Sequence, residues 1–352
     1  MKKELPLVSI IVPNYNYAHY LETCLGSILN QTYEHIEVIF RDNASADDSY
    51  EIALKYQKKM REKNIYMSCG LNRRNLGSAK NTGLCYLETE GDYVIYLSSD
   101  DAMEPTYIEK CVHIMEKFTN IGMVMVHRKA MDEHGEITEE APFYNKNCII
   151  PKESQAAVFM MAGIAVPSQV LMRKSTLEKV GAAKPMNLQV ANDWLDNFML
   201  SMFADVAYIK EPLCLYRTHS GNETTGSERN LVGIFEHYLL VNAFVWISES
   251  YQMKKPAARY LESVKKLAGM CLRYAIKMFQ NHENEIAEKY LLLAPVFDKQ
   301  ILSDDIYTAL RKCITYKGEE LENELEKICS KYHTKRTVSY DPPEDSIEIH
   351  LV

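Results

Sequence analysis

The fold class of this chain is decided by residues 7–16, which read LVSIIVPNYN. The first six of these residues form an apolar run dense in β-branched side chains, which predicts a strand covered on both faces. The remaining four are turn-forming residues, which predict a loop where the strand ends. A strand buried on both faces is typical of a sheet with helices packed on either side.

Strand and helix patterns alternate through the first 127 residues. Further strands are predicted at 36–40, 65–69, 93–97 and 122–126, and helices at 21–29, 47–60, 78–88 and 105–118. Ser45 is placed to cap the second of these helices. This alternation predicts an α/β fold with a doubly wound, mostly parallel sheet.

The pattern changes twice beyond residue 127. Residues 128–230 are less regular, with helices predicted near 155–162, 175–180 and 192–204 and a strand near 169–172. Residues 231–331 are almost purely helical and predict one or two helical hairpins. Residues 332–352, which include Pro342 and Pro343, are predicted to form an extended tail.

The composition excludes several classes of protein. Among 352 residues, 40 Lys and Arg stand against 48 Asp and Glu, and a net charge of −8 disfavours a nucleic-acid partner. The uncharged stretch 154–172 is interrupted by Gly163 and Pro167 and does not reach the ~20 apolar residues of a membrane span. Peripheral membrane contact stays open.

The cysteines indicate a reducing compartment. There are nine, an odd number, and no two have the C-x-x-C spacing of a zinc or redox site. No apolar run precedes Pro6, so we expect no signal peptide. Free thiols and the absence of a leader together predict a cytoplasmic protein.

Polar side chains follow four predicted strands at the point where each strand ends. The segments are PNYN at 13–16, DNAS at 42–45, RRNLGSAKN at 73–81 and SSDD at 98–101. In a doubly wound sheet, ligands bind beyond the carboxyl ends of the strands. Adjacent Asp100 and Asp101 suit Mg²⁺ or Mn²⁺ together with phosphate oxygens, although a helix-capping Asp with a solvated neighbour is the alternative.

Other cofactor motifs are missing. No G-x-G-x-x-G follows a strand and there is no P-loop, which disfavours a dinucleotide dehydrogenase and a P-loop enzyme. No cluster of His and Cys suggests zinc.

Taken in order, these motifs resemble the family 2 inverting glycosyltransferases, which have the GT-A fold. The matching segments are residues 8–16, Asp42, residues 75–83, residues 96–105, residues 192–194 (Asn-Asp-Trp) and residues 212–219. The resemblance covers about residues 5–225. It implies a transferase domain at 1–230, with a nucleotide-sugar half at 1–127 and an acceptor half at 128–230. A helical appendage at 231–331 and the tail at 332–352 would follow.

The resemblance also implies roles for individual residues in donor binding. The base and ribose would be held by Pro13, Tyr15, Asn16 and Asp42, with the Asp42 carboxylate accepting a base N–H. The ribose and diphosphate would meet Arg74, Asn75, Lys80, Asn81 and Ser99. Asn16 is alternatively a residue that only shapes its turn.

The remaining implied roles concern the cation and the chemistry. Asp100 would face the ribose or the metal, and Asp101 would coordinate the metal. His219 would be a second metal or diphosphate contact, and Arg217 would support the leaving group. Asp193 would be the general base, although an acid there is also typical of an ordinary helix N-terminus.

Three positions depart from the family pattern. Ser98 replaces the usual first acid before Asp100 and Asp101. Lys80 replaces the common Arg, keeping the charge without the bidentate fork. Asn192 replaces the common Glu beside Asp193, which removes a negative charge.

The resulting hypothesis is an inverting transferase that uses a nucleoside-diphosphate sugar, UDP-linked, with Mn²⁺ or Mg²⁺. Its acceptor would be a hydroxyl of a glycan, a lipid-linked sugar or a protein. One alternative is a degenerate transferase domain that binds nucleotide sugars and acts as a scaffold through its helical tail. A sugar nucleotidyltransferase is another alternative, disfavoured because no glycine-rich, Arg-containing loop follows the first strand. A homodimer through the helical tail, and contact with the inner face of a membrane, stay open.

Overall fold

The structure is a computed structural model that describes residues 5–183, 185–186, 188–219, 221–331 and 338–351. The strands are β1 (Val8–Asn14), β2 (Ile36–Asp42), β3 (Tyr66–Leu71), β4 (Tyr93–Tyr96), β5 (Ala102–Met103), β6 (Ile121–Met131), β7 (Ile137–Thr138), β8 (Cys148–Ile150), β9 (Val170–Arg173), β10 (Asp205–Arg217) and β11 (Ile347–Glu348). The helices are α1 (Ala18–Leu29), α2 (Ser49–Glu62), α3 (Ser78–Leu87), α4 (Tyr107–Lys117), α5 (Lys152–Phe159), α6 (Lys174–Ala183), α7 (Asn192–Phe203), α8 (Glu223–Arg229), α9 (Val232–Ser250), α10 (Lys254–Ala258), α11 (Tyr260–Gln280), α12 (Asn284–Phe297), α13 (Asp305–Cys313) and α14 (Glu319–Lys331).

One sheet connects both halves of the predicted transferase domain. Its strand order is β11-β8-β10-β6-β9-β4-β1-β2-β3, with β5 paired to β10 and β7 paired to β6. The pairs β1–β2, β2–β3, β1–β4 and β6–β10 are parallel. The predicted doubly wound α/β fold is therefore confirmed, with helices on a sheet whose first half is parallel.

The second half of the sheet is more mixed than the sequence indicates. β9 runs antiparallel between β4 and β6, and it joins the two halves. β10 was not predicted, because Pro212 and two register shifts around it interrupt the strand periodicity. Ser45 does not cap α2 as predicted, since its hydroxyl donates to Asp42 Oδ2 at 2.7 Å.

The described residues form three large apolar cores and a fourth, smaller one that packs α3 against β1, β2 and β4. The first packs α1, α2 and α4 against the sheet, and the second packs α5 and α7 on the other half. Helix α9 contributes Leu240, Val241 and Phe244 to this second core, although it belongs to the predicted helical appendage. The third core lies among α11–α14.

The predicted tail returns to the sheet where it is described, at residues 338–351. β11 pairs antiparallel with β8, and Ile349 is buried in the first core. Residues 332–337 and 352 of that prediction lie outside the described residues, as do residues 1–4 of the predicted transferase domain. Over the described ranges, no helix is both long enough and apolar enough to cross a membrane.

Candidate active site

The loops after β1 and β2 are joined through a buried carboxylate. The strand register sets Asn14 beside Asp42, and Asp42 is fully buried. Asp42 Oδ2 accepts from Asn14 Nδ2 at 3.0 Å, and Asp42 Oδ1 accepts from the Ser45 backbone N–H at 2.8 Å. These hydrogen bonds join the loops after β1 and β2. The predicted contact between Asp42 and a base N–H stays a prediction.

The loop after β1 presents one aromatic side chain at the surface. Tyr15 is 44% exposed, and Pro13 is partly exposed beside it. Asn16 adopts a positive φ of 56°, and its side-chain oxygen accepts from the Ala46 backbone N–H at 2.8 Å. The structure thus gives Asn16 a turn-shaping position, while Tyr15 is available to a ligand.

Asparagine amides organise the loop after β3. Asn72 Nδ2 donates to Asn43 Oδ1 at 3.0 Å and to Asn81 Oδ1 at 2.8 Å, and Asn43 Nδ2 donates to Asn75 Oδ1 at 2.8 Å. Asn72, Asn43 and Asn81 are buried, and they act as a frame for the loop. Asn72 was missed, because an isolated asparagine carries no motif of its own, and Asn43 was given no role within the segment 42–45.

Three cations stay exposed on this frame. Arg73, Arg74 and Lys80 all lie at the surface, and none of them is buried by the asparagine network. Contact of Arg74 and Lys80 with the diphosphate stays a prediction. Asn81 lies beneath them with its amide donating to the Arg41 carbonyl at 3.1 Å.

The two adjacent carboxylates after β4 have different partners. Asp101 is buried, and its oxygens accept from the Ser168 hydroxyl at 2.6 Å and from the Arg217 backbone N–H at 2.8 Å. Asp100 Oδ2 lies 3.1 Å from His219 Nε2. The two neighbouring side chains of the turn thus point in different directions, and only Asp100 of the two lies beside His219. The role of Asp101 as a cation ligand stays a prediction. Burial, and then the charge of Asp100, raise the pKa of Asp101 well above its usual range.

His219 is held in one orientation. The backbone N–H of Gly221 donates to His219 Nδ1 at 3.1 Å, which leaves Nε2 to carry the proton of the neutral ring and donate to Asp100. Asn222 Nδ2 also donates to Asp100 Oδ2, at 3.3 Å. The ring packs 5.0 Å from that of Tyr20. A cation at Asp100 would replace the Nε2 proton of His219.

Arg217 is part of the frame around Asp100. Its Nε donates to the Asp100 carbonyl at 2.9 Å, and its Nη1 donates to the Asp132 carbonyl at 2.7 Å. The guanidinium also lies 4.4 Å from the centre of the Tyr20 ring, and the residue is buried. These two hydrogen bonds fix the guanidinium beside Asp100. The predicted support of the leaving group by Arg217 stays a prediction. Ser99 is likewise buried.

Asp193 lies in the first turn of α7. It is partly exposed, and its Oδ1 accepts from the Trp194 backbone N–H at 2.8 Å. Burial is the largest cause that raises its pKa, to about 6, with the Asp196 charge adding to it. The Trp194 N–H and the Arg128 charge lower the pKa of Asp193. A carboxyl group with such a pKa is ionised at neutral pH and is more basic than an ordinary aspartate.

Arg128 was missed by the sequence reasoning. It lies on β6, with its guanidinium 4.4 Å from the centre of the Tyr216 ring and its Nη1 donating to Gln169 Oε1 at 3.4 Å. Its positive charge lowers the pKa of both Asp101 and Asp193. A lone arginine in a strand carries no signal in the sequence, and only the fold brings it to the acids.

Comparison with known proteins shows what this chain is similar to. A family model described as Glycosyl transferase family 2 matches residues 9–181. An uncharacterized glycosyltransferase of Nostoc is 26% identical over 221 residues, which are 61% of this chain and 66% of that protein. Putative glycosyltransferase EpsH of Bacillus subtilis is 29% identical over 222 residues, 61% of this chain and 62% of that protein. The matches thus span less than two thirds of these relatives.

Solved structures share the fold. TarS 1–349 of S. aureus in complex with UDP-GlcNAc aligns with a TM-score of 0.57 at 15% identity, over 97% of this chain and 99% of that one. A mannosyltransferase of Pyrobaculum calidifontis in complex with GDP-Man and Mn²⁺ aligns with a TM-score of 0.51 at 15% identity, over 93% and 86% of the two chains. The GT-A fold is confirmed. By the family model and these relatives, residues 9–181 form a domain of glycosyl transferase family 2.

Proposed function

We propose that this chain is an inverting glycosyltransferase that moves a sugar from a UDP-linked donor to a hydroxyl of a glycan, lipid-linked or protein acceptor. One observation carries the proposal. The Asp100–His219 pair lies at one edge of the sheet. Arg128 lies near enough to the proposed base, Asp193, for its charge to lower the pKa of that carboxyl group. A single displacement at a sugar carbon requires a general base for the acceptor hydroxyl and a cation site for the leaving diphosphate.

Asp193 is the proposed base. The acceptor hydroxyl gives its proton to the Asp193 carboxylate as its oxygen bonds to the anomeric carbon and the bond to the diphosphate breaks. Proton transfer to a positioned carboxylate contributes ~10²–10⁴-fold in rate. Support comes from the partial exposure of Asp193 and from its raised pKa.

The donor diphosphate requires local positive charge, because the chain as a whole carries −8. Exposed Arg74 lies on the loop after β3, exposed Lys80 lies in the first turn of α3, and both would meet the diphosphate. Asp100 and His219 fit a divalent cation, since a carboxylate oxygen and an imidazole nitrogen are 3.1 Å apart. In the described part of the chain, no three His, Cys, Asp or Glu side chains form a metal cluster, so diphosphate oxygens and water would complete the shell. When bound, the cation would neutralise charge on the leaving diphosphate.

The solved relatives agree with this donor class. The S. aureus protein was solved with UDP-GlcNAc, and the Pyrobaculum calidifontis mannosyltransferase with GDP-Man and Mn²⁺. We propose the same donor class, a nucleoside-diphosphate sugar, for this chain. We also propose that it binds a divalent cation, with Asp100 and His219 as the ligands.

The donor can be named by a thermal-shift screen. UDP-sugars and GDP-sugars are each added with and without Mn²⁺ or Mg²⁺. We expect a UDP-sugar with a divalent cation to raise the melting temperature most, because a ligand at 100-fold its dissociation constant stabilises the folded state by about 2.7 kcal/mol. Stabilisation by GDP-sugars alone would contradict the UDP assignment. A donor that binds but is neither transferred nor hydrolysed would favour the scaffold alternative.

The pH dependence of transfer follows from Asp193. A general base acts in its ionised form, so the rate falls when pH drops below its pKa. We expect kcat/KM for the acceptor to fall tenfold per pH unit below about 6, since at saturating donor it reports the groups of the enzyme form that the acceptor binds. The measurement is a kcat/KM profile between pH 4.5 and 9 at saturating donor. If the activity instead falls only near pH 4, the base is an ordinary, solvated carboxylate.

The division at residue 230, the homodimer through the helical region and the contact with a membrane are also proposals. Helix α9 supports the dimer, because Phe235, Leu239 and Trp246 are exposed on one of its faces. Sedimentation of the chain alone tests the dimer, and sedimentation with anionic vesicles tests the membrane contact. A monomer at micromolar concentration, or no pelleting at low salt, would end the respective proposal.

A further inference from the structure

Helix α9 places a buried carboxylate against the entry to α7. Glu236 is 8% exposed, and its two oxygens accept from three consecutive backbone N–H groups. The distances are 2.5 Å from Gln189 to Oε1, 2.9 Å from Val190 to Oε2 and 3.1 Å from Ala191 to Oε2. Hydrogen bonds from backbone N–H to a carboxylate are charge-assisted and stronger than neutral ones.

These three amides lead directly into the catalytic turn. α7 begins at Asn192, and the residue before it, Ala191, has no side chain that can cap the helix. Helix N-termini leave their first backbone N–H groups without intrahelical partners. Glu236 accepts from the N–H of the N-cap residue Ala191 and from those of Gln189 and Val190, which precede the helix, so it fixes the backbone that enters α7. Asp193 lies two residues beyond the last bonded amide, so the orientation of its carboxylate depends on this clamp.

Other side chains of α9 pack against the first two turns of α7. The His237 ring meets Trp194 edge to face, with centroids 5.1 Å apart. Phe244 stacks on Phe198 at 3.8 Å. Burial lowers the pKa of His237 to about 4, so this ring is neutral at neutral pH and places no positive charge beside the turn.

We propose that Glu236 is a positioning residue that aims Asp193 at the acceptor, and that α9 is therefore part of the catalytic unit. The proposal rests on the assignment of Asp193 as base in the proposed function. Its physical reason is that a misplacement of about 1 Å can cost on the order of 10²-fold in rate. Without the Glu236 carboxylate, three amides lose their acceptor and the start of α7 moves.

The test compares Glu236→Gln with Glu249→Gln in the full chain. Glu249 is an exposed carboxylate on the same helix and is the matched control. We expect Glu236→Gln to lower kcat by roughly 10–100-fold while the dissociation constant for UDP stays within about twofold, because the nucleotide loops follow β1, β2 and β3. Glu249→Gln should keep wild-type kcat. Glu236→Asp, which keeps the charge on a shorter stem, should lose less than Glu236→Gln and serves if the Gln variant does not fold.

A pH profile separates positioning from general weakening of the fold. Burial is the main cause of the raised pKa of Asp193, so a loosened turn readmits water and moves the acid limb of the residual activity below pH 6. A Glu236→Gln variant with wild-type kcat and an unmoved limb would overturn the inference, as would equal losses in Glu236→Gln and Glu249→Gln. If Asp193→Asn is inactive and Glu236→Gln is normal, only this inference fails. Wild-type turnover in Asp193→Asn would refute the proposed base itself.

Discussion

Replacing Asp193 with asparagine is expected to lower kcat by ~10²–10⁴-fold, because Asn cannot take the acceptor proton. The local structure should be kept, since the Asn oxygen can still accept from the Trp194 N–H that now donates to Asp193 Oδ1 at 2.8 Å. The measurement is steady-state transfer to the identified acceptor. Asp196→Asn is the matched control, one turn along α7, and it should keep most of the activity. An Asp193→Asn variant with wild-type kcat would exclude Asp193 as the base.

Stability provides a second readout for the same variant. The folded-state pKa of Asp193 is raised from 3.8 to about 6, chiefly by burial, so the folded state binds a proton more tightly than the unfolded state. The stability from this group is fully present below pH 3.8 and is lost as pH rises through about 6. Asparagine does not titrate, so the Asp193→Asn variant does not lose this stability as the pH rises. The melting temperature of Asp193→Asn should therefore equal or exceed that of the wild type at pH 7.5.

Replacing Asp100 with asparagine is expected to weaken cation binding at least about tenfold, whereas Asp101→Asn should leave it nearly unchanged. Asp100 Oδ2 lies 3.1 Å from His219 Nε2, so the two side chains face one site. Asp101 faces Ser168 and the Arg217 N–H instead. An Asn at 101 can still accept from that N–H, and the Ser168 hydroxyl can reverse its role from donor to acceptor.

Mn²⁺ binding in the presence of UDP gives the direct measurement, for example by the electron paramagnetic resonance signal of free Mn²⁺. His219→Gln should weaken binding in parallel with Asp100→Asn. Activity titrated with Mn²⁺ should shift by the same factor in both variants. Loss of Mn²⁺ binding in Asp101→Asn, with normal binding in Asp100→Asn, would restore the assignment made from the motif.

Local patterns predict most of the first half of the fold. The apolar runs at β1, β2 and β4 and the helical spacing in α1 and α2 are each complete within one element, so no distant contact is needed to recognise them. β10 is different, because its strand character depends on pairing with β6, β8 and β5 around the irregular Pro212. Its partners, rather than its own periodicity, make it a strand.

The candidate site shows the same division. Motif order brought Asp193, Asp100 and His219 into consideration, because strand ends in a parallel sheet meet at one edge. Motif order did not show that the side chains of Asp42 and Arg217 hydrogen-bond to other groups of the protein. Arg128 and Glu236 carry no motif, and they act on Asp193 only because β6 and α9 pack beside α7.

By itself, the sequence determined the α/β class, the family and the positions along the chain where polar groups follow buried strands. These properties depend on neighbouring residues, whose spacing is set by the repeat of a strand or a helix. Tertiary structure decided that Asp100 faces His219 and that Asp101 hydrogen-bonds within the protein. It also placed Asp193 just after the segment that Glu236 of the helical region binds. The deciding contacts join residues 116 and 119 positions apart at Asp101 and Asp100, and 45–47 apart at Glu236. Hydrogen bonds and desolvation act over a few ångströms in space, so the packed chain alone determines them.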